Sequence, residues 1–147
     1  MIETFRDEYN WLSNFALFER PLKFSGGLSF PTNEHFYVAM KTKDHSERVG
    51  VCLHPLKGLK SYGRSLTLRE DWEDIKQDVM LYGLRYKFSP LNPSLRNKLI
   101  STGDQYIQEG NWWRDIYWGV CLRTGEGENH LGKLIMQIRE EIRNEGR

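Results

Sequence analysis

The hydrophobic pattern of this chain changes from strand-like to helix-like at Pro31-Thr32-Asn33. Before this point, Phe18–Phe24 and Leu28–Phe30 are predicted strands, and Ser25-Gly26-Gly27 between them favours a hairpin turn. After it, the Thr and Asn side chains provide a typical helix start, and a helix is predicted over Glu34–Thr42. A hairpin followed by helices is typical of an α+β protein, because a parallel sheet requires strands that alternate with helices.

Most of the remaining chain shows helical spacing of apolar residues, interrupted by proline and glycine. Gly63 and Gly103 stand where two of these helices are expected to end. With no repeat or linker in the sequence, we expect residues 1–147 to form one domain, mostly helical with a small antiparallel sheet. The further predicted elements are strands at Ile2–Phe5 and Tyr106–Gln108, and helices at Asp44–Leu53, Pro55–Tyr62, Glu70–Lys87, Asn92–Gly103 and from about Asn129 onward.

The charge balance argues against a general nucleic-acid binder. Twenty-one Lys and Arg residues face twenty Asp and Glu residues, and the net charge of +1 lacks the usual basic excess. Cys52 and Cys121 have no partner at metal-ligand spacing and are predicted to be buried thiols, and we expect neither a metal nor a cofactor. Since Met1–Thr4 does not resemble a signal peptide and no apolar run could span a bilayer, we expect a cytoplasmic protein.

The first candidate site lies on the helix after Pro31-Thr32-Asn33. Glu34 and Lys41 are seven residues apart, which places them on one helical face about 10 Å apart along the axis. Two long charged side chains at this separation suit a sugar bound between them. Spacing alone nevertheless favours two solvated surface charges, since Glu and Lys are usually exposed.

Two further clusters suit phosphate and a base. Arg64 follows a helix-ending glycine and has the planar donors that grip a phosphate, although most Arg residues simply lie at the surface. Asn111–Gly119 contains three Trp residues, which suit stacking on a base as well as core packing. The glycine-rich stretch Gly125–Gly132 leads into a helix start, which favours either an anion site or a flexible loop with a cap at Asn129.

Taken in order, these clusters resemble the NADAR, or YbiA-like, family from about residue 4 to residue 140. Each motif is short, but their order and spacing make the resemblance specific. The motifs are Ser13-Asn14-Phe15, Pro31–Tyr37 with Lys41, Gly63-Arg64, Trp72, Asp115–Gly119, and Gly125–Gly132 followed by Lys133–Arg139.

The resemblance implies a YbiA-like fold and an N-glycosidase. Members of the family remove ADP-ribose from modified guanine in DNA, or act on phosphoribosylamino-pyrimidine intermediates of riboflavin synthesis. The implied partner is therefore a small phosphoribosyl or ADP-ribosyl substrate. ADP-ribosylated DNA would be a larger substrate of the ADP-ribosyl class, and no membrane is expected as a partner. A module that binds ADP-ribose without cleaving it, and an interaction protein with a Trp-rich surface, are the alternatives.

Residue roles follow from the same resemblance. Glu34 is expected to stabilise the charge that develops at C1 of the ribose or to act as acid or base. Lys41 is expected to be its electrostatic partner or an amine that forms a Schiff base with the opened sugar, and Asp115 to orient Lys41 or a ribose hydroxyl. The expected substrate-binding residues are Ser13, Asn14, Phe15, His35, Gly63, Arg64, Trp72, Trp118, Gly119, Gly127, Asn129 and Gly132, with phosphate at Arg64 and Gly125–Asn129 and the base on Trp118 or Trp72.

One region departs from the riboflavin-pathway members of the family. Val120–Thr124 replaces a shorter, glycine-richer loop, and Glu109–Asp115 is one residue longer. Both differences fall where a base or second phosphate is expected. Arg114 and Arg123 in this region suit a diphosphate, which favours an ADP-ribosyl substrate.

Overall fold

The computed structural model describes residues 1–146 and contains the predicted hairpin. Strand β1 (Leu17–Phe24) pairs antiparallel with β2 (Leu28–Thr32), and Ser25–Gly27 forms a 3₁₀ turn between them. Gly26 and Gly27 both have positive φ angles, +79° and +76°, a conformation that glycine adopts without a steric penalty. Buried and less buried residues alternate along β2, so one face of the hairpin covers the core.

Six α-helices follow this hairpin within residues 1–146, and their positions confirm most of the predicted helical segments. The main difference is the third helix, which begins at Leu59 rather than at Pro55, because Pro55–Gly58 forms a turn that ends with Gly58 at a φ of +77°. The helices are α1 (Asn33–Ala39), α2 (His45–Leu53), α3 (Leu59–Gly63), α4 (Trp72–Lys87), α5 (Pro93–Ser101) and α6 (His130–Glu145).

The two predicted terminal strands were wrong as strands. Ile2–Phe5 and Tyr106–Gln108 meet only through a parallel bridge between Ile2 and Ile107. The Ile2 N–H donates to Tyr106 O at 2.8 Å, and the Gln108 N–H donates to Ile2 O at 2.9 Å. Pairing stops there because Gly110 continues instead into a second, unpredicted pair, in which β3 (Gly110–Asn111) lies parallel to β4 (Val120–Cys121).

Helix α1 lies at the centre of the core. All seven of its residues are buried, and it packs against β2, α2, α3 and α4. The approach of α4 is very close, since a Cβ added at Gly83 would overlap Oδ1 of Asn33. The residues at positions 34 to 41 are therefore held from several sides, which fixes any site built on them.

Asn92 begins α5 as predicted, but its side chain does not cap the helix. Its Oδ1 accepts hydrogen bonds from the backbone N–H groups of Glu19 and Arg20, and its Nδ2 donates to Tyr86 O. Asn92 is fully buried, and its amide is used to join β1 to the end of α4 instead. Across residues 1–146, no helix is both long and apolar enough to cross a bilayer.

Candidate active site

A cavity of about 400 Å³ opens between the N-terminal segment, α1, α3 and the loop after β3. This volume lies within the range that small-molecule sites occupy, roughly 300–1,000 Å³. Its lining combines carboxylates, cations and aromatic rings from distant parts of the sequence. The charged and aromatic lining residues are Phe5, Arg6, Phe15, Glu34, Tyr37, Lys41, Lys60, Arg64, Glu109, Trp113, Asp115 and Trp118.

Glu34 lies in the first turn of α1 and is only 9% exposed. The turn is fixed because Thr32 Oγ1 accepts from the His35 N–H at 3.1 Å and the Glu34 N–H donates to Asn14 O at 3.0 Å. Burial raises the pKa of Glu34, and the nearby ammonium groups of Lys60 and Lys41 oppose that rise. A carboxylate in this setting is poorly hydrated and faces two positive charges.

Lys41 lines the same cavity as Glu34, although the two do not belong to one helix as predicted. Helix α1 ends at Ala39, and the Lys41 N–H donates to Val38 O in a tighter final turn. The Lys41 Nζ lies 5.5 Å from the centre of the Tyr37 ring. Burial lowers the pKa of Lys41, and the Glu34 charge opposes this, so the amine is more easily deprotonated than an exposed lysine.

Asp115 faces Glu34 from the loop after β3. Its Oδ1 accepts hydrogen bonds from the backbone N–H groups of Tyr117 and Trp118, at 3.2 and 3.0 Å. Asn111, fully buried, holds the loop from below, since its Oδ1 accepts from the Asp115 N–H and its Nδ2 donates to Asp115 O. The carboxylate is thus fixed in place while its second oxygen stays available to a substrate.

Four cations line the cavity, namely Arg6, Lys41, Lys60 and Arg64. None of them forms an ion pair within 4.0 Å to any acidic group of residues 1–146. Lys60 and Arg64 lie four positions apart on and just after α3, so they project from one side of it. Unpaired cations on one wall suit a substrate that carries phosphate.

The aromatic walls differ from the expected ones. Trp118 lines the cavity and packs edge-on against Tyr37, with ring centres 5.6 Å apart. Trp72 does not line it and is instead buried, with its ring centre 5.0 Å from that of Tyr37. Trp113 and Phe15 stand at the opening with 56% and 43% of their surface exposed. The Lys60 Nζ lies 5.3 Å from the centre of the Phe15 ring, which leaves Trp113 and the other face of Phe15 available to stack on a base.

The structure brings eight of the predicted site residues together in the cavity and leaves the others outside its lining. Three were predicted to be catalytic, namely Glu34, Lys41 and Asp115. The other five were predicted to bind the substrate and are Ser13, Asn14, Phe15, Arg64 and Trp118. His35 is instead buried behind α1, where its Nδ1 lies 2.7 Å from Thr32 Oγ1 and its Nε2 lies 2.8 Å from His54 O. Gly63 packs against Val38, a close contact between α3 and α1.

Within the glycine-rich segment Gly125–Gly132, Leu131 alone lines the cavity, and the predicted positions Gly127, Asn129 and Gly132 lie outside it. Asn129 is buried and starts α6 in the left-handed conformation, and its side chain does not cap the helix. Its Oδ1 accepts from the Glu109 N–H at 2.9 Å, and its Nδ2 donates to Ile107 O at 2.9 Å. Gly127 and Gly132 pack against backbone at Gly119 and Ile107, so this segment supports the site from behind.

Six charged or aromatic residues of the cavity were not among the predicted site residues: Phe5, Arg6, Tyr37, Lys60, Glu109 and Trp113. Lys60 carried a signal, since it stands four residues before Arg64 in a predicted helix. Trp113 was noted only as part of a Trp-rich stretch. Arg6 stands in no motif, and Glu109 was noted only as the start of the longer stretch Glu109–Asp115. The pairing of Ile2 with Ile107 brings their two segments together.

No three His, Cys, Asp or Glu side chains of residues 1–146 are grouped as metal ligands would be. Cys52 and Cys121 are free thiols; Cys121 is buried as expected, whereas Cys52 is only partly buried.

The chain is similar in sequence to known proteins. The NADAR domain family matches residues 2–143. The N-glycosidase YbiA of Shigella flexneri serotype 5b (strain 8401) is 36% identical over 139 residues, which cover 92% of this chain and 83% of that protein. The chloroplastic riboflavin biosynthesis protein PYRR of Zea mays is 32% identical over 151 residues, which cover 92% of this chain and 24% of that protein.

The fold matches as well as the sequence. The NMR structure of the Escherichia coli protein YbiA superposes with a TM-score of 0.82 at 34% identity, covering 99% of this chain and 89% of that one. The matched residues include every charged and aromatic side chain of the cavity. The chain therefore belongs to the NADAR domain family and is an N-glycosidase of that family.

Proposed function

We propose that this N-glycosidase cleaves the bond between a phosphorylated ribose and its base, and that ADP-ribosylated guanine is its substrate. The observation that supports this most directly is the position of Glu34, a buried carboxylate beside Lys41 and Lys60 and opposite Asp115 in one cavity. Such a group suits the positive charge that develops at C1 when an N-glycosidic bond breaks.

In this proposal Glu34 stabilises the oxocarbenium-like transition state and takes a proton from the water that attacks C1. A carboxylate that is already buried and held in a fixed helical turn does this with little reorganisation. Asp115 accepts from a ribose hydroxyl through the oxygen that Tyr117 and Trp118 leave free. Lys41 serves as the electrostatic partner of Glu34, or as an amine that attacks C1.

The amine route is chemically complete. The ribose ring opens to an imine with the base, the neutral amine of Lys41 adds to C1, and the base leaves with a proton. Water then hydrolyses the resulting lysine Schiff base and releases the ribose. Burial favours the neutral amine that this route requires.

The wall of Arg6, Lys60 and Arg64 is the proposed phosphate site. Its three cations suit more than one phosphate, which is why we favour an ADP-ribosyl over a phosphoribosyl substrate. Arg114 and Arg123, which suggested a diphosphate from the sequence, do not line the cavity. Phe15 and Trp113 at the opening are placed to stack on a base, either the adenine or the guanine.

A phosphoribosylamino-pyrimidine is the second candidate. The observation in its favour is the similarity to proteins named for riboflavin biosynthesis, such as the one from Zea mays, of which this chain spans about a quarter. This substrate has a ribose with one phosphate, so it needs only part of the cationic wall.

A substrate panel tests the proposal. The chain is incubated with ADP-ribosylated guanosine, an oligonucleotide carrying ADP-ribosylated guanine, and a phosphoribosylamino-pyrimidine, and the released sugar is measured by chromatography. We expect free ADP-ribose from the first two. Release of sugar from the phosphoribosylamino-pyrimidine alone would show that the second candidate is the substrate. Binding of ADP-ribose without any cleavage would identify a non-catalytic module.

The cellular compartment in which the enzyme works is part of the same proposal. We propose that the enzyme works in the cytoplasm, and its free thiols at Cys52 and Cys121 fit a reducing compartment. Both thiols should be fully reactive towards a thiol reagent after unfolding of protein taken directly from cells.

A further inference from the structure

Glu109 is a third carboxyl group in the cavity, and the roles above leave it without a function. It lines the same cavity as Glu34 and Asp115, on the segment between the Ile2–Ile107 bridge and β3. It forms no ion pair within 4.0 Å in the described part of the chain. A half-buried carboxyl without a cation partner is costly in a purely structural role, so its chemistry needs an explanation.

The backbone at Glu109 is fixed from both sides. Its N–H donates to Asn129 Oδ1 at 2.9 Å, and its carbonyl oxygen accepts from the Val120 N–H at 2.9 Å. The side chain is fixed at one oxygen, since Oε2 accepts from Asn111 Nδ2 at 3.0 Å. The other oxygen, Oε1, has no hydrogen-bond partner among residues 1–146 and is not sealed from the cavity.

Gly119 provides the room for this arrangement. A Cβ added at Gly119 would overlap both Oε2 and the carbonyl oxygen of Glu109, and would lie 2.8 Å from Asn111 Nδ2. Since that distance is far below normal contact, any side chain at position 119 would displace the carboxyl group. Gly119, which was predicted to bind the substrate, therefore leaves space for the Glu109 carboxyl group and does not itself line the cavity.

The surroundings of Glu109 differ from those of Glu34. Burial raises the pKa of Glu109 to about 7, the Asn111 hydrogen bond opposes this, Asp115 adds to it, and Lys60 opposes it. Burial raises the pKa of Glu34 as well, but there two ammonium groups, Lys60 and Lys41, oppose the rise. Two carboxyl groups in one site with different electrostatic surroundings are suited to opposite roles, one protonated and one ionised. The other charged groups that line the cavity are Arg6 and Arg64.

We propose that Glu109 is the general acid of the reaction and protonates the leaving base. This inference rests on the proposed function. As the C1–N bond breaks, its electron pair goes to the base nitrogen, which receives the proton of the Glu109 carboxyl. Water then adds to C1 and gives its proton to the Glu34 carboxylate. The proton on Glu34 returns to Glu109 through solvent, so the net reaction consumes one water and releases the sugar and the protonated base nitrogen.

The test compares Glu109→Gln with the unaltered chain on ADP-ribosylated guanosine between pH 5 and pH 9. The amide keeps the size of the side chain and an acceptor for Asn111, but it has no proton to give. We expect kcat of the unaltered chain to fall as pH rises through about 7, and kcat of the variant to be at least about a hundredfold lower at pH 6 without that fall. Glu126→Gln, on an exposed loop residue, is the matched control and should keep the profile of the unaltered chain.

A second measurement does not depend on turnover. Because Glu109 binds a proton more tightly in the folded chain, the folded state should lose stability as pH rises from about 4.5 through about 7. The free energy of unfolding of Glu109→Gln should therefore increase relative to the unaltered chain over this range. A flat difference, or a variant with the kcat and pH profile of the unaltered chain, would overturn the acid role of Glu109 alone. If the unaltered chain cleaves no member of the substrate panel, the proposed function fails and this role fails with it.

Discussion

Lys87 Nζ donates a hydrogen bond to the carbonyl oxygen of Ser13 at 2.7 Å, although Lys87 is fully buried near the end of α4. The bond joins the long helix to the segment that carries Ser13, Asn14 and Phe15 into the cavity. Since Asn14 O in turn accepts from the Glu34 N–H, the buried lysine supports the turn that positions the proposed catalytic carboxylate.

This lysine should give the protein a distinctive dependence of stability on pH. Burial lowers the pKa of Lys87 to about 7, so the folded chain binds this proton less tightly than the unfolded chain does. Its contribution to the free energy of unfolding should therefore rise between pH 7 and about pH 10.4. Urea unfolding at pH 7 and pH 9.5 measures it, and Lys87→Met should show a smaller rise. Equal rises in both proteins would mean that Lys87 titrates as an exposed lysine does.

The catalytic role of Glu34 predicts a loss of rate without a loss of folding. Glu34→Gln keeps the size of the side chain but cannot carry the charge or accept the proton, so kcat should fall by at least about a hundredfold. Since burial disfavours the charged form, thermal stability should not decrease. The measurement is kcat with the best member of the substrate panel, beside a thermal melt. Near-normal turnover by the variant would remove Glu34 from the mechanism.

The Schiff-base role of Lys41 can be tested by trapping. Borohydride added during turnover reduces a lysine Schiff base to a stable amine, and mass spectrometry of the digested protein should then locate the sugar on Lys41. Lys41→Arg keeps the charge but has no amine that becomes neutral, so it should give no adduct. If turnover proceeds at the normal rate and no adduct forms, Lys41 acts as an electrostatic partner only.

The cationic wall predicts a loss of affinity that depends on phosphate. Arg64→Ala should raise KM by about tenfold for a phosphorylated substrate, since a charged hydrogen bond contributes about 1.5–3 kcal/mol. KM for the same nucleoside without phosphate should not change. Arg123→Ala is the matched control, because Arg123 lies outside the cavity. An equal effect of the two substitutions would place the phosphate elsewhere.

Because α4 approaches α1 so closely, substitution of Gly83 by alanine should change the free energy of unfolding in the opposite direction from the usual one. Gly→Ala inside a helix normally stabilises it by about 0.5–1 kcal/mol. At Gly83 the new Cβ would overlap Asn33 Oδ1, so Gly83→Ala should instead destabilise the fold by about 1–3 kcal/mol. A double-mutant cycle with Asn33→Ala, followed by urea unfolding, should show that most of this cost requires Asn33. Additive effects would contradict the contact.

Local signals in the sequence were enough to predict the hairpin, most helices and the position of Glu34. Thr32 caps α1, and Asp44 caps α2 by accepting from the Glu47 N–H, as their residue types indicate. These features depend on residues three or four positions apart, and such patterns are visible in one sequence.

Features that depend on distant contacts were not predictable in the same way. Asn92 and Asn129 both have the residue type and position of a helix cap, yet each side chain binds backbone groups of another segment. Likewise, Trp72 and Trp113 look alike in sequence, yet Trp72 is buried against Tyr37 and Trp113 borders the cavity. The pairing of Ile2 with Ile107, which brings Arg6 and Glu109 to the site, has no local signature.

Two long-range contacts determine when the active site can form during synthesis. They are the bridge between Ile2 and Ile107 and the hydrogen bond from the Glu109 N–H to Asn129 Oδ1. A nascent chain that has emerged from the ribosome only as far as α5 already contains Glu34 and Lys41, but it has neither Glu109 nor the asparagine that anchors it. The part of the cavity that Glu109, Trp113, Asp115 and Trp118 line is then still missing. Catalytic competence should therefore arrive late, when the chain beyond residue 131 has been released, and it should return together with global structure during refolding.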